Sequence, residues 1–272
     1  STPVQTKDFT FDLNINLSRN VSKVKELADG VDYLFFNGDA NFPINVGTRV
    51  GHRLGEIYAK NLYKRDENGN MIVNKQGRPT KVSGEDAFQY TLDHPIGNIE
   101  PDLLMSVSPS FTYKGFTLSA LFDMKFGGDI VSVSEAMATS TGLAARTANR
   151  GNAENGWKIV APGVTADGTV NSTAMNAQRY YTSMSGMAEE FVYDASFIKL
   201  KELSLGYSFP KSILKKTPLT SLNVAFVARN LAYLMKHTPR TSPEGGYDTS
   251  MFSQAIDYMS VPYTHTFGLS IN

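Results

Sequence analysis

The sequence predicts an all-β protein: a segment of an antiparallel transmembrane β-barrel wall, about seven strands, carrying long loops. Three observations lead there. The stretch Phe197 to Pro210 alternates strictly in its second half, with Leu203, Leu205, Tyr207 and Phe209 on one side and Glu202, Ser204, Gly206 and Ser208 on the other. A period of two belongs to a pleated strand with one greasy and one wet face. Several other stretches are built the same way. Finally, short links between them exchange with long ones, the pattern of a barrel with tight turns on one rim and loops on the other.

Taken in order, Phe9 to Ser18 places Phe9, Phe11, Leu13, Ile15 and Leu17 on one side and Thr10, Asp12, Asn14, Asn16 and Ser18 on the other, which matches the roughly 9–11-residue span of a tilted barrel strand. Arg19 to Gly47 reads as a connection with one short strand in Val31 to Phe36. Thr48 to Lys64 is extended but alternates poorly. Asp66-Glu67-Asn68-Gly69-Asn70 carries oxygen side chains at calcium-like positions, but an EF-hand loop wants Gly at position six and Glu at twelve, where Met71 and Gly77 stand. Asn68-Gly69 reads instead as a type I′ hairpin, followed by a polar loop to Pro101.

Leu103 to Tyr113 and Phe116 to Phe126 form a hairpin around Lys114-Gly115, with Pro109 costing a ladder bond or marking a bulge. Ile130 to Glu190 lacks strand alternation, and its helix formers between Val131 and Ala148 predict one or two short helices. After the strand ending at Pro210 and a link from Lys211 to Pro218, Leu222 to Arg229 and Tyr263 to Asn272 alternate again. On this reading residues 1–272 are one barrel portion, with long loops at about 65–101, 130–190 and 232–261. Phe11, Leu13, Ile15, Leu118, Phe122, Leu205, Tyr207, Val224, Phe226, Phe267 and Leu269 are expected on one outward face.

Composition excludes several alternatives. The 272 residues carry 26 basic and 26 acidic side chains, so there is no electrostatic case for nucleic acid. No cysteine is present, which removes disulfides, zinc–thiolate sites and cysteine nucleophiles. No run approaches the roughly 18 apolar residues of a spanning helix, and the opening Ser1-Thr2-Pro3-Val4 does not read as a signal peptide. Barrel strands hide their hydrophobicity in alternation, so an average composition does not argue against a membrane.

The residues also resemble a known family, the C-terminal barrel portion of SusC/RagA-type TonB-dependent outer-membrane transporters. The matching motifs run in family order: Val50 to Gly55, Ile96 to Asp102, Phe111 to Leu118, Gly127-Gly128-Asp129-Ile130, Tyr193 to Lys201, Leu203 to Pro210, Ala228-Arg229-Asn230-Leu231 and Thr266 to Leu269. The resemblance implies a plugged, 22-stranded barrel of the large-transporter class, completed by a plug, further strands and a TonB box preceding Ser1. It also implies a SusD-like surface lipoprotein as a lid, the TonB complex as energy source, membrane lipid around the wall, and a Gram-negative outer membrane as location. Two departures stand out: the family ends on an aromatic residue where this chain has Asn272, and the acidic loop near Asp66 is degraded.

No catalytic constellation or cofactor is predicted. His52, His94, His237 and His265 are scattered without metal-binding spacing, and there is neither a nucleophile elbow nor a phosphate-cradling glycine loop. Glu189-Glu190 reads as a solvated loop. Asp123 and Arg229 are candidate substrate contacts on the wet face, with salt bridges among Asp123, Lys125, Glu202 and Arg229 as the plainer reading. Trp157, Tyr180 and Tyr181 are candidates for stacking on sugar rings, with loop packing as their alternative. The leading function is import of a glycan or oligopeptide. The rival is a β-rich adhesin or carbohydrate-binding module, whose sandwich would bury its apolar faces against each other.

Overall fold

The computed structural model describes residues 1–37, 43–215, 217–246, 253 and 256–272. Lys216 and parts of the 232–261 connection therefore lie outside the described residues. Seven strands form one antiparallel sheet in sequence order: β1 (Val4–Gln5), β2 (Phe9–Ser18), β3 (Leu103–Tyr113), β4 (Phe116–Phe126), β5 (Phe197–Ser208), β6 (Asn223–Lys236) and β7 (Thr266–Ile271). The short strand anticipated near Val31 exists as Tyr33–Asn37, but it is not part of this sheet. It joins Ile44–Arg49, Glu56–Ala59 and Gly97–Asn98 in a separate four-stranded sheet. The seventh strand is instead the two-residue β1, laid against Phe11 and Thr10.

Pairing register turns the alternation of single strands into rows that run across the sheet. Val4, Phe11, Phe111, Leu118, Leu205, Phe226 and Leu269 stand opposite one another in succession. The neighbouring row is Phe9, Tyr113, Phe116, Tyr207, Val224 and Ile271. Directly opposed apolar and aromatic pairs are the unit of sheet stabilisation, and Phe11 stacks on Phe111 with centroids 4.7 Å apart. On the other face Thr10, Thr112, Thr117, Gly206, Ala225 and Ser270 form a row of small, mostly polar groups.

The apolar rows are not packed into a core. Leu205 is 54% exposed, Phe226 47% and Leu269 74%, and none of the eleven residues expected on the outward face is buried. In water each exposed large side chain forgoes about 1.5–3 kcal/mol of burial. Among the described apolar side chains of this sheet, only Phe197 and Ala228 are buried. A sandwich would bury this face, and the adhesin-like alternative fails on that point.

The hydrophobic core lies in the connections. One cluster joins Ile44, Val46, Ile57, Ala59, Leu62, Ile99, Val131, Val133 and Ile256. A second joins Ala136, Met175, Tyr180, Tyr181, Met184 and Phe191. The stretch read as a polar loop to Pro101 contains helix α1 (Glu85–Asp93), whose Phe88 and Leu92 pack on Tyr58. Glu56–Ala59 is buried on both faces, which is why it shows no alternation in sequence. The stretch expected to hold one or two short helices, Val131 to Ala148, contains α2 (Val133–Ser140), capped by the Ser132 hydroxyl, and the start of a 3-10 turn (Ala145–Asn149). A further helix, α3 (Ala177–Met184), capped by the Asn176 side chain, falls outside that expectation.

The turns also follow from local chemistry. Lys114 and Gly115 both have positive φ, 47° and 89°, the geometry of a two-residue I′ hairpin that matches strand twist. At 66–70 the hairpin forms, with Arg65 bridging Met71, but only Gly69 takes positive φ, so the turn is not type I′. The Asp66 carboxylate accepts from the Asn68 and Asn70 amides and from the Asn70 side chain, an Asx-type closure that sets the backbone differently. Pro109 makes no bulge. The β3–β4 register is the same on both sides of it, and the pairing lapses opposite Ala120 and Leu121.

Candidate functional site

A joint between the sheet and the loop layer is the first polar constellation. Gly127 N donates to Ser196 Oγ at 2.8 Å, and Ala195 N to the Gly128 carbonyl at 2.9 Å. Asn98 N donates to Asp129 Oδ2 at 2.8 Å, and Asp102 N to the Phe126 carbonyl at 2.9 Å. Arg53 approaches Asp102 at 3.5 Å and the Glu100 carboxylate at 4.0 Å. Glycine is required at Gly127: its φ is 73°, and a Cβ there would lie 2.3 Å from Asp102 Oδ2. Four motifs spread over the sequence, Val50 to Gly55, Ile96 to Asp102, Gly127 to Ile130 and Tyr193 to Lys201, thus meet at one place.

Two aspartates at this joint titrate in opposite directions. Burial pushes the Asp129 carboxyl up; the Asn98 amide opposes that and the nearby Asp194 adds to it. Burial also works against ionisation of Asp194, but hydrogen bonds from the Ser196 hydroxyl and amide and from His237 outweigh it and hold the carboxyl below its ordinary value. His237 Nδ1 lies 2.6 Å from Asp194 Oδ2, tying the second long connection to the joint.

The wet face of the sheet carries the next group. Asp123 pairs with Lys201 at 2.6 Å, and Arg229 with Glu202 at 2.8 Å. Lys201 reaches Asp123 because of a bulge: Leu121 pairs with Glu202 and Phe122 with Leu200, leaving Lys201 as the extra residue. Asp123 and Arg229 therefore stand on the inner face, each with an ionic partner. The signal for the bulge is in the sequence. Ile198 and Leu200 are apolar at even positions, and Leu203, Leu205 and Tyr207 at odd ones, a switch of parity that only an inserted residue allows on one outward face.

The loop layer separates the aromatic candidates. Tyr180 is in the second core cluster, its hydroxyl pushed up to about 12 by burial and then by Glu190. Tyr181 is buried too, its ring 5.1 Å from that of Tyr180 and its hydroxyl donating to the Arg146 carbonyl at 3.0 Å. Trp157 is 49% exposed. Trp157 and Tyr181 line one cavity of about 440 Å³ with Arg150, Asn176 and Gln178, whereas Tyr180 does not. The Glu189-Glu190 pair is not a solvated loop: Glu189 binds Arg65 at 2.9 Å and the Tyr63 amide at 2.7 Å, and Glu190 binds Arg146 at 3.1 Å. Among the described residues no group of three or more acidic, histidine or cysteine side chains is placed to hold a metal ion.

An open antiparallel sheet with a bare apolar face, a wet opposite face and a self-packed loop layer is a segment of transmembrane β-barrel wall. No family model matches the chain. Its sequence is 26% identical over 287 residues to the TonB-dependent receptor P3 of Formosa agariphila, covering 99% of this chain and 27% of that protein. It is 29% identical over 222 residues to the TonB-dependent receptor SusC of Bacteroides thetaiotaomicron, covering 76% of this chain and 19% of that one. Structures of the RagAB peptide importer in its open-open state and of the RagAB peptide transporter superpose with TM-scores of 0.62 and 0.63 at 18% and 16% identity. Each match covers 99% of this chain and 27% of the other. In sequence and in fold the chain resembles the C-terminal barrel portion of SusC/RagA-type TonB-dependent receptors. It spans between 19% and 27% of the length of the two curated relatives named.

Proposed function

We propose that residues 1–272 are the C-terminal part of an energised importer in the outer membrane of a Gram-negative bacterium, taking up a glycan or an oligopeptide. The observation that carries this is the set of apolar rows running unbroken from β1 to β7 and left uncovered while the loops bury a core of their own. Only a lipid environment makes such a face favourable. The rest of the barrel and a plug complete the wall, because bare strand edges at membrane depth cost several kcal/mol for each unpaired group. A SusD-like lipoprotein covers the loop layer, which faces outside the cell, and TonB supplies work through a preceding segment. Asp123 and Arg229 face the passage, and Trp157 with Tyr181 contacts the nutrient at the mouth.

Residues 1–272 contain no cysteine, so a cysteine introduced here adds one label that is read against the unsubstituted protein. Single cysteines at Leu205 and Ser204 are introduced in membranes and labelled with a water-soluble maleimide. The reading expects Ser204→Cys to label and Leu205→Cys to be shielded by lipid. Cells deleted for the gene should also lose uptake of a fluorescent oligosaccharide or oligopeptide that TonB-deficient cells also fail to take up. Equal labelling at both sites, or uptake of every compound unchanged by the deletion, overturns it.

A further inference from the structure

The cavity at Trp157 deepens that reading, on which it rests, by pointing to a substrate class. It opens between the C-terminal end of α2 and the first turn of α3. Its volume of about 440 Å³ falls in the range of small-molecule sites, ~300–1,000 Å³. We infer that this cavity binds a sugar unit bearing a negatively charged substituent, a carboxylate or a sulfate ester.

Four features support the assignment. Trp157 holds a left-handed backbone conformation, φ 55°, which is uncommon for a bulky residue and recurs at binding sites. It is fixed from both sides: its N–H donates to the Asn152 carbonyl and its carbonyl accepts from Ala177 N, both at 2.9 Å. A half-exposed indole is thereby presented at the rim, an apolar face suited to the C–H face of a pyranose. The Thr139 hydroxyl, on a fully buried residue lining the cavity, has no hydrogen-bond partner. Orphan buried polar atoms are rare and point to an absent partner. The Asn176 side-chain oxygen is used by Arg179 N, which leaves its NH2 group free as a donor.

The charge preference comes from Arg150, the one charged residue lining the cavity among the described residues. One of its nitrogens donates to the Gly142 carbonyl at 2.9 Å, which fixes the guanidinium and leaves its other donors for a planar or tetrahedral anion. An oligopeptide is disfavoured here. Peptide capture by strand addition needs a free strand edge, and this cavity is walled mostly by helix ends.

The intact protein, purified in detergent from outer membranes of cells expressing it from its own gene, is titrated calorimetrically. The acidic probes are oligogalacturonate, oligoalginate and a sulfated galacto-oligosaccharide; maltoheptaose, cello-oligosaccharide and an acidic hexapeptide are the comparisons. At least one acidic oligosaccharide should bind. Arg150→Gln and Trp157→Ala should each weaken it tenfold or more, Thr139→Val several-fold, and Trp157→Phe little. Binding of no acidic oligosaccharide, stronger binding of a neutral one or of the hexapeptide, or affinity unaltered by Arg150→Gln and Trp157→Ala overturns the assignment. Uptake by the same cells separates the two readings. Wild-type uptake without binding at this cavity removes the site and leaves the importer, whereas binding without any TonB-dependent uptake removes the importer alone.

Discussion

Lys199 Nζ lies 2.5 Å from Glu244 Oε2, the lysine side chain almost fully buried and the glutamate partly so. The rings of Tyr233 and Tyr263 flank the ammonium at 5.1 and 4.9 Å. A strand of the wall is in this way joined to the second long connection through a cation that water does not reach. Removing one partner of a buried pair leaves an uncompensated charge, at a cost of about 3–5 kcal/mol. Glu244→Gln should therefore lower the melting temperature clearly, and adding Lys199→Met should restore part of the loss. A Glu244→Gln variant as heat-resistant as wild type would show that the pair does not hold the connection in place.

The two faces of β5 should respond oppositely to charge. Leu205 stands in the central apolar row, between Leu118 and Phe226, and Ser204 between Ser119 and Val227 on the other face. A lysine on the lipid side costs up to about 2–4 kcal/mol, less towards the interface, so Leu205→Lys should reduce the folded, heat-modifiable fraction in membranes. Ser204→Lys should leave it near wild type. Comparable loss from both would mean that neither face is wet.

Asp129 gives the joint a pH dependence of definite sign. Its folded carboxyl titrates above the unfolded value because of burial, so its favourable contribution is complete below the unfolded pKa and fades as pH rises through the folded one. Asp129→Asn keeps an acceptor for the Asn98 amide and removes the buried charge. The variant should gain melting temperature relative to wild type at pH 7 and lose that advantage at pH 3. An advantage that is the same at both pH values would remove Asp129 as the titrating group.

Ser196 should matter more than its size suggests. Its hydroxyl accepts from Gly127 N and donates to Asp194 Oδ1. Ser196→Ala leaves a half-buried amide unpaired, worth about 1–3 kcal/mol, while Ser110→Ala on the wet face should fall within about 0.5 kcal/mol of wild type. Thermal melts of the two variants side by side decide it.

The wall was readable in the sequence because each strand faces the same two solvents along its length, and alternation records that directly. Phe11, Leu118 and Phe226 could be put on one face without knowing their partners. Partnership itself was not readable. Tyr33–Asn37 and Val4–Gln5 look like the stronger and weaker strands, yet only the weaker one belongs to the wall. The loop layer was harder still, since its core gathers single residues from short strands such as Ile44–Arg49 and Glu56–Ala59. A four-residue strand buried on both sides, as Glu56–Ala59 is, carries no periodicity. Of the candidate residues, Trp157 and Tyr181 were brought together and Tyr180 was not, because adjacent residues on a helix point about 100° apart.

The loop core also fixes an order of events during biogenesis. Val131 pairs in parallel with Ile256, and Ile256 packs in the same cluster as Ile44. These residues lie on connections that leave the wall after β2, β4 and β6. Loop closure between such distant positions is slow and gains nothing until both ends are present. The layer therefore cannot close until β6 and the residues that follow it are in place. A chain stopped before β6 would leave part of the wall beneath a loop layer whose apolar residues still lack Ile256 as a partner.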